Sequence, residues 1–227
     1  MKKIGIYEMF ASIQGEGLLQ GIPSVLLRLV GCNLSCSWCD TQDFLQGGRG
    51  TYYSLEEIMD ALAVYDCRNI VITGGEPFIH PELPLLTQEL HQRGYHITIE
   101  TNATLYQEVT CDLISMSPKL TNSVVTEADG QKRNKIDLET IRKFIANYSY
   151  QIKFVVSERD DMDEVASILA EVGDYDPFRV MIMPMAATIQ ELQRVQKKVL
   201  KMCIDHNMRY ANRLQLQIWN NKSEILN

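Results

Sequence analysis

Positive charge is the scarcer sign in this chain: 22 Lys and Arg stand against 29 Asp and Glu, for a net charge of −7. That balance excludes a protein built to neutralise nucleic-acid phosphates over a broad face, so no direct nucleic-acid partner is expected. Cysteine is sparse as well, 6 in 227 residues, which is too few for a disulfide scaffold. No apolar run approaches the ~18 residues a spanning helix requires, so no membrane segment is read. The N-terminal MKKIGIYEMF is basic, but its apolar part is short and broken by Glu8. It does not make a signal peptide, and a cytoplasmic location is the expectation. No linker rich in Pro, Gly or Ser interrupts the chain. With 45% hydrophobic residues there is enough apolar surface for a core, and 227 residues suit a single domain spanning 1–227.

Short β-branched apolar runs alternate with longer helical patterns. The strand candidates are 24–31 (SVLLRLVG), 69–74, 95–101, 112–117, 151–156 and 178–184, and a further one, 213–219 (RLQLQIW), alternates strictly and closes the chain. Helices are predicted between them over 54–66, 80–94, 138–148, 162–173 and from Thr188 to about Met208. Ser54 with Glu57, and Thr188 with Glu191, have capping-box spacing, and Gly94 suits a helix C-terminus. Near-continuous hydrophobic strands alternating with helices mean a mostly parallel sheet covered by helices. Six such units point to a partial, open (β/α)6-type, TIM-like barrel, since a complete barrel takes ~250 residues. A doubly wound open sheet is the alternative. The polar stretch 124–135 (VVTEADGQKRNK) reads as a loop.

The cysteines are unevenly placed. Cys32, Cys36 and Cys39 lie in GCNLSCSWCDT (31–41), after the first of the predicted strands, while Cys67, Cys111 and Cys203 are scattered. Three thiolates with C-x3-C-x2-C spacing can converge on one inorganic centre. A structural zinc site needs four protein ligands, and an electron-transfer iron–sulfur site usually has four cysteines. No fourth Cys or His is near in sequence; the nearest imidazole is His80, with His91, His96 and His206 farther off. Three ligands without a fourth suit a [4Fe–4S] cluster with one open iron. A zinc site completed by a distant residue is the alternative. The loop follows a buried strand, at the carboxyl mouth where α/β folds keep active sites. Trp38 offers an aromatic wall there.

This triplet resembles the signature of the radical S-adenosylmethionine superfamily, and ITGGEP (72–77) resembles its glycine-rich turn. SIQGEG (12–17), GIPSVLLRLVGCN (21–33), CSWCDT (36–41), the ETN of Glu100 to Asn102, SPKL (117–120) and KFVV (153–156) follow in order. Together they resemble the 7-carboxy-7-deazaguanine synthase family from about Tyr7 to Trp219. The resemblance implies a radical SAM-type open barrel. It also implies ring contraction of 6-carboxy-5,6,7,8-tetrahydropterin to 7-carboxy-7-deazaguanine with loss of ammonia, in queuosine or 7-deazapurine precursor synthesis. A 5′-deoxyadenosyl radical takes hydrogen from the pterin C6, and the cofactors carry the hard chemistry.

The same resemblance implies the site. Cys32, Cys36 and Cys39 hold the [4Fe–4S] cluster, and Thr41 ligates a Mg²⁺ that touches the substrate carboxylate. Asp40 orients its neighbours. Trp38, Gly75 and Ser117, Pro118 and Lys119 meet S-adenosylmethionine. Gln14, Glu16, Arg28 and Thr73 contact the pterin, with Ile13 and Gly15 adding backbone contacts. Amide and carboxylate groups suit an aminopyrimidinone edge, and a guanidinium suits a carboxylate. Arg28 stands out without any family, because a charge inside VLLRLVG needs a partner, be it substrate or an internal carboxylate. The resemblance also implies a homodimer and an electron donor such as flavodoxin. The chain end departs from the family pattern, with Gln215 where a His is expected and a divergent tail from Asn220 to Asn227. Other readings are a glycyl-radical activase, which shares the triplet but does not need SIQGEG, and a non-catalytic metal protein.

Overall fold

The computed structural model describes residues 3–39, 50–123 and 136–220. Thr41, Asp40, the stretch 124–135 and the tail from 221 lie outside those residues. Among the described residues one sheet has the strand order β3-β1-β2-β4-β5-β6-β7-β8-β9. The strands are β1 (Ile4–Ile13), β2 (Pro23–Leu29), β3 (Thr51–Tyr53), β4 (Asn69–Gly74), β5 (His96–Thr101), β6 (Leu113–Met116), β7 (Tyr150–Val156), β8 (Val180–Pro184) and β9 (Arg209–Tyr210). From β2 to β9 every pairing is parallel, while β1 runs antiparallel to β2 and β3. The first and last strands in this order do not pair, so the barrel is open.

The helices are α1 (Leu55–Leu62), α2 (Leu83–Gln92), α3 (Leu138–Asn147), α4 (Arg159–Val172), α5 (Ile189–Asp205) and α6 (Leu214–Trp219). Both expected capping boxes are present, Ser54 with Glu57 on α1 and Thr188 with Glu191 on α5. Gly94 follows α2 with φ +76°, a conformation glycine adopts without strain. α4 starts at Arg159, three residues before the expected 162, because the Asp161 carboxylate accepts from the Ser157 and Glu158 N–H groups and caps an earlier turn.

Two readings from the sequence are corrected. The segment RLQLQIW is a helix, not a closing strand. Leu216 packs into a small cluster with Ala186 and Leu192, and Asn220 ends the turn in the left-handed region at φ 49°. Alternation alone had no neighbouring strand to pair with. Second, Ile4–Ile13 forms β1, so the strand before the cysteine loop is the second in chain order. A register shift between Ile6 and Glu8 interrupts its period of two.

Every second residue of the parallel strands faces the helices. Leu27 and Leu29, Ile70 and Ile72, Ile97 and Ile99, and Ile152 and Phe154 belong to one continuous core. Their neighbours face the other way, into the barrel lumen. That lumen is polar. It receives Arg28, Thr73, Thr98, Glu100, Ser115, Gln151 and Lys153, the last only 1% exposed. The β1–β2 connection, residues 14–22, folds across it like a strap.

Candidate active site

The cysteine loop leaves β2 at the carboxyl ends of the strands. Cys32, Cys36 and Cys39 are half-buried and free of disulfides. Burial pushes the Cys32 thiol up to about 11, and the neighbouring Cys36 and Cys39 add to the effect. Among the described residues no three His, Cys, Asp or Glu side chains are already gathered as a metal-holding group. His80 instead bonds the Val30 carbonyl at 2.8 Å.

The glycine-rich turn after β4 is packed against this loop. A Cβ on Gly75 would stand 2.1 Å from the Gly31 carbonyl oxygen and 2.5 Å from the Cys32 Cβ. No side chain fits, so Gly75 lets the two loops meet as well as exposing its backbone. Glu76 then ties the rim together. Its carboxylate accepts from Phe78 N at 3.1 Å, Thr101 Oγ1 at 2.8 Å and Asn102 N at 2.7 Å. Burial raises its pKa to about 7 against the pull of those three donors. Asn102 Nδ2 continues the network to Asn33 Oδ1 in the cysteine loop at 3.0 Å. The Glu of GGEP and the ETN stretch thus act as one brace under Cys32.

Trp38 and Lys119 meet from opposite sides of the rim. The Lys119 ammonium lies 5.4 Å from the indole centroid and donates to Ser117 Oγ at 2.7 Å. Trp38 Nε1 donates to Asn122 Oδ1 at 3.2 Å, and the ring packs against the buried cluster of Val155, Met181, Met183 and Ala211. Ser117 is held by its N–H to the Thr101 carbonyl, and Pro118 is buried. The expected cofactor residues Trp38, Gly75, Ser117, Pro118 and Lys119 therefore gather on one rim, beside the cysteine loop. The donor set of three thiols and the side-chain-free cradle at Gly75 fit an iron–sulfur cluster with a ligand beside it.

Below the rim lies the polar lumen. Arg28 sits beside Thr73 across β2 and β4, and its Nε donates to Glu8 Oε1 at 2.7 Å. The internal carboxylate weighed for Arg28 is thus present and orients the guanidinium at the lumen wall. The strap brings Gln14 and Glu16 inward. Gln14 Nε2 donates to Glu100 Oε1 at 3.2 Å. Glu16 accepts from Lys153 Nζ at 2.9 Å, Gln215 Nε2 at 2.7 Å and Arg213 Nε at 3.2 Å. Burial alone would raise the Glu16 carboxyl, but the Lys153 and Arg213 charges outweigh it and bring it to about 2. Gly15 faces Gln215: a Cβ there would lie 2.2 Å from its Oε1, an atom that is buried without a hydrogen-bond partner among the described residues. Ile13 ends β1 at the entry to the strap.

Glu100, Lys153, Gln151 and Arg213 belong to this lumen but were not singled out as site residues by sequence. Lys153 had a usable signal, since a charge in the apolar run QIKFVV needs a partner as much as Arg28 does. Arg213 had none, because it reaches Glu16 across 197 positions of sequence.

An open parallel barrel with a three-cysteine loop on its carboxyl rim defines a radical SAM protein, and the model of the radical SAM superfamily matches residues 26–126. The chain is 36% identical over 238 residues to the 7-carboxy-7-deazaguanine synthase of Halobacterium salinarum, covering 96% of this chain and 91% of that one. It is 31% identical over 229 residues to the 7-carboxy-7-deazaguanine synthase of Escherichia coli, covering 91% and 94%. The chain belongs to the 7-carboxy-7-deazaguanine synthase family. The crystal structure of QueE from Escherichia coli superposes with a TM-score of 0.70 at 26% identity, over 93% of this chain and 94% of that one. Streptococcus suis SuiB bound to S-adenosylmethionine shares the fold at 14% identity and a TM-score of 0.54, over 81% of this chain and 48% of that one. Among the described residues no helix is long and apolar enough to cross a membrane.

Proposed function

We infer that this chain makes 7-carboxy-7-deazaguanine by contracting the ring of 6-carboxy-5,6,7,8-tetrahydropterin with loss of ammonia, as a carbon–nitrogen lyase. The observation that carries this reading is a juxtaposition. A three-thiol loop sits on the rim of a polar, carboxylate-bearing lumen whose strap holds Gln14 and Glu16 inward. When bound, an iron–sulfur cluster with S-adenosylmethionine supplies a carbon-centred radical able to take a hydrogen atom from the substrate. Cys32, Cys36 and Cys39 hold the cluster. Trp38, Gly75, Ser117, Pro118 and Lys119 bind S-adenosylmethionine beside it.

The remaining work is recognition and exclusion of water. Glu16, held ionised, accepts from the N–H donors of an aminopyrimidinone, and Gln14 offers an amide alongside it. Arg28, oriented by Glu8, presents guanidinium donors to an anionic group of the pterin, and Thr73 lies next to it. Ile13 and Gly15 contribute backbone. Leu18 and Trp38 pack against the apolar cluster of Val155, Met181 and Met183, a patch suited to keeping water from the reacting atoms.

The family resemblance further supports Mg²⁺ on Thr41, flavodoxin as reductant and a homodimer. A hydroxyl oxygen is a suitable hard ligand, with substrate and water completing an octahedral shell. Thr41→Ala is expected to flatten the dependence of turnover on added Mg²⁺ while 5′-deoxyadenosine still forms. A magnesium titration that matches the parent would remove Thr41 as ligand.

The test of the function is an anaerobic assay of the reconstituted protein with S-adenosylmethionine, reductant, Mg²⁺ and 6-carboxytetrahydropterin, followed by mass. Formation of 7-carboxy-7-deazaguanine is expected. Cleavage of S-adenosylmethionine without that product would keep the radical chemistry and reject the substrate.

A further inference from the structure

Lys153 stands in the middle of β7, 1% exposed, with its ammonium 2.9 Å from Glu16 Oε2 and 2.8 Å from Glu100 Oε2. A buried ammonium is tolerated only when it is paired and hydrogen-bonded, and here two carboxylates from distant elements supply that pairing. Glu100 comes from β5, two strands away from β7. Glu16 comes from the strap, 137 positions away in sequence.

The other oxygens of both carboxylates are also engaged. Glu100 Oε1 accepts from Gln14, and Glu16 Oε1 accepts from Arg213 and Gln215. Each carboxylate is thus fixed by both of its oxygens; Glu16 Oε1 has both lone pairs taken, while Glu16 Oε2 and the two Glu100 oxygens each accept one of these bonds and offer their second lone pair to a ligand. The charges balance, two cations against two anions. Next to Lys153 on β7, Gln151 accepts from Leu18 N at 2.7 Å, so the same strand holds the strap at a second point. Removing Lys153 would leave Glu100 without its cation and Glu16 with Arg213 alone, and the strap would lose one of the contacts that set its depth.

We propose that Lys153 is a positioning residue for substrate: its ammonium holds the Glu16 and Glu100 carboxylates at a fixed separation and angle, so that they meet the N–H donors of a pterin ring. The proposal rests on the functional reading above. It assigns Lys153 no contact with substrate; the residue acts through Glu16 and Glu100. Pre-orienting acceptors in this way lowers the cost of ordering them when the ligand arrives.

The test is a double-mutant cycle read in binding and in kinetics. The binding probe is 6-carboxypterin, the fluorescent oxidised form, titrated without S-adenosylmethionine. Lys153→Met and Glu16→Gln are each expected to weaken its Kd, and to raise the KM of the tetrahydropterin, by at least about tenfold, the scale of losing a charge-assisted hydrogen bond. The double variant is expected to lose clearly less than the two single losses combined, because with Glu16 neutralised Lys153 acts through Glu100 alone. Fully additive losses would overturn the proposal, as would a Lys153→Met variant with the parent's Kd. If Lys153→Met alone fails to fold, the double variant, which drops one charge of each sign, is compared with Glu16→Gln. A further weakening short of tenfold supports the proposal, and a further weakening of tenfold or more overturns it. A parent that makes no 7-carboxy-7-deazaguanine overturns the functional reading itself. An active parent with an additive cycle overturns only the role of Lys153.

Discussion

Cys36→Ala is expected to give a folded protein that has lost both the visible absorbance of an iron–sulfur cluster and all turnover. Cys36 lies on the loop after β2 and takes no part in the buried core, so circular dichroism and the thermal midpoint should stay close to the parent's. Its contribution is as a thiolate. A cluster held by three cysteines has no spare protein ligand, and an alanine leaves a second iron uncoordinated. The effect should therefore be all-or-none in iron content, sulfide content and 5′-deoxyadenosine formation together. A variant that keeps the cluster spectrum and cleaves S-adenosylmethionine would show that Cys36 is not a ligand. The scattered Cys203, buried in the helix-covered core, serves as a contrast. Its replacement by alanine should cost stability, about 1 kcal/mol for a small buried side chain, without touching the cluster.

Gly75→Ala is expected to be nearly as damaging, for a different reason. The added methyl would meet the backbone oxygen of Gly31 at 2.1 Å and Cys32 Cβ at 2.5 Å. Neither neighbour is the end of a flexible side chain, so no rotamer change relieves the overlap. The turn after β4 and the cysteine loop must move apart, carrying Cys32 with them. A displacement of about 1 Å at a reacting centre is enough to cost on the order of a hundredfold in rate. The expected result is a folded protein with reduced iron content and turnover lower by about that factor. Parental activity would mean that the loops separate freely, and that the close packing in the structure has no bearing on the cluster.

The two variants separate what was legible in the chain from what was not. Cys36 could be read at once, because ligand chemistry depends on residue type and local spacing, and both lie within eight positions. Six of the seven parallel strands and the capping boxes at Ser54 and Thr188 were legible for the same kind of reason. Hydrophobic period and cap chemistry act over one or two turns of chain. The expected open barrel followed from the alternation of those elements. Where local pattern misled, a distant contact was the cause. RLQLQIW alternates like a strand, but Leu216 finds its partners in Ala186 and Leu192, and the segment closes as a helix. β1 was missed because its register shifts between Ile6 and Glu8, which blurs the period that marks a strand.

The site divides along the same line. The amino-acid sequence by itself determined the cysteine loop, the glycine-rich turn and the strap residues Gln14 and Glu16, since each is a short motif whose chemistry is carried by neighbours in the chain. It also determined that Arg28 needed a carboxylate or an anion, because a charge among apolar residues demands one. Only the tertiary structure decided which groups answered those demands: Glu8 for Arg28, and Lys153, Arg213 and Gln215 for Glu16. Likewise, Gly75 fits because Gly31 and Cys32 lie against it, and Glu76 is tied to Thr101 and Asn102. The physical reason is range. Spacing and period are set by covalent neighbours, whereas the pairing of buried charges is set by whichever strands the folded sheet brings face to face across the lumen.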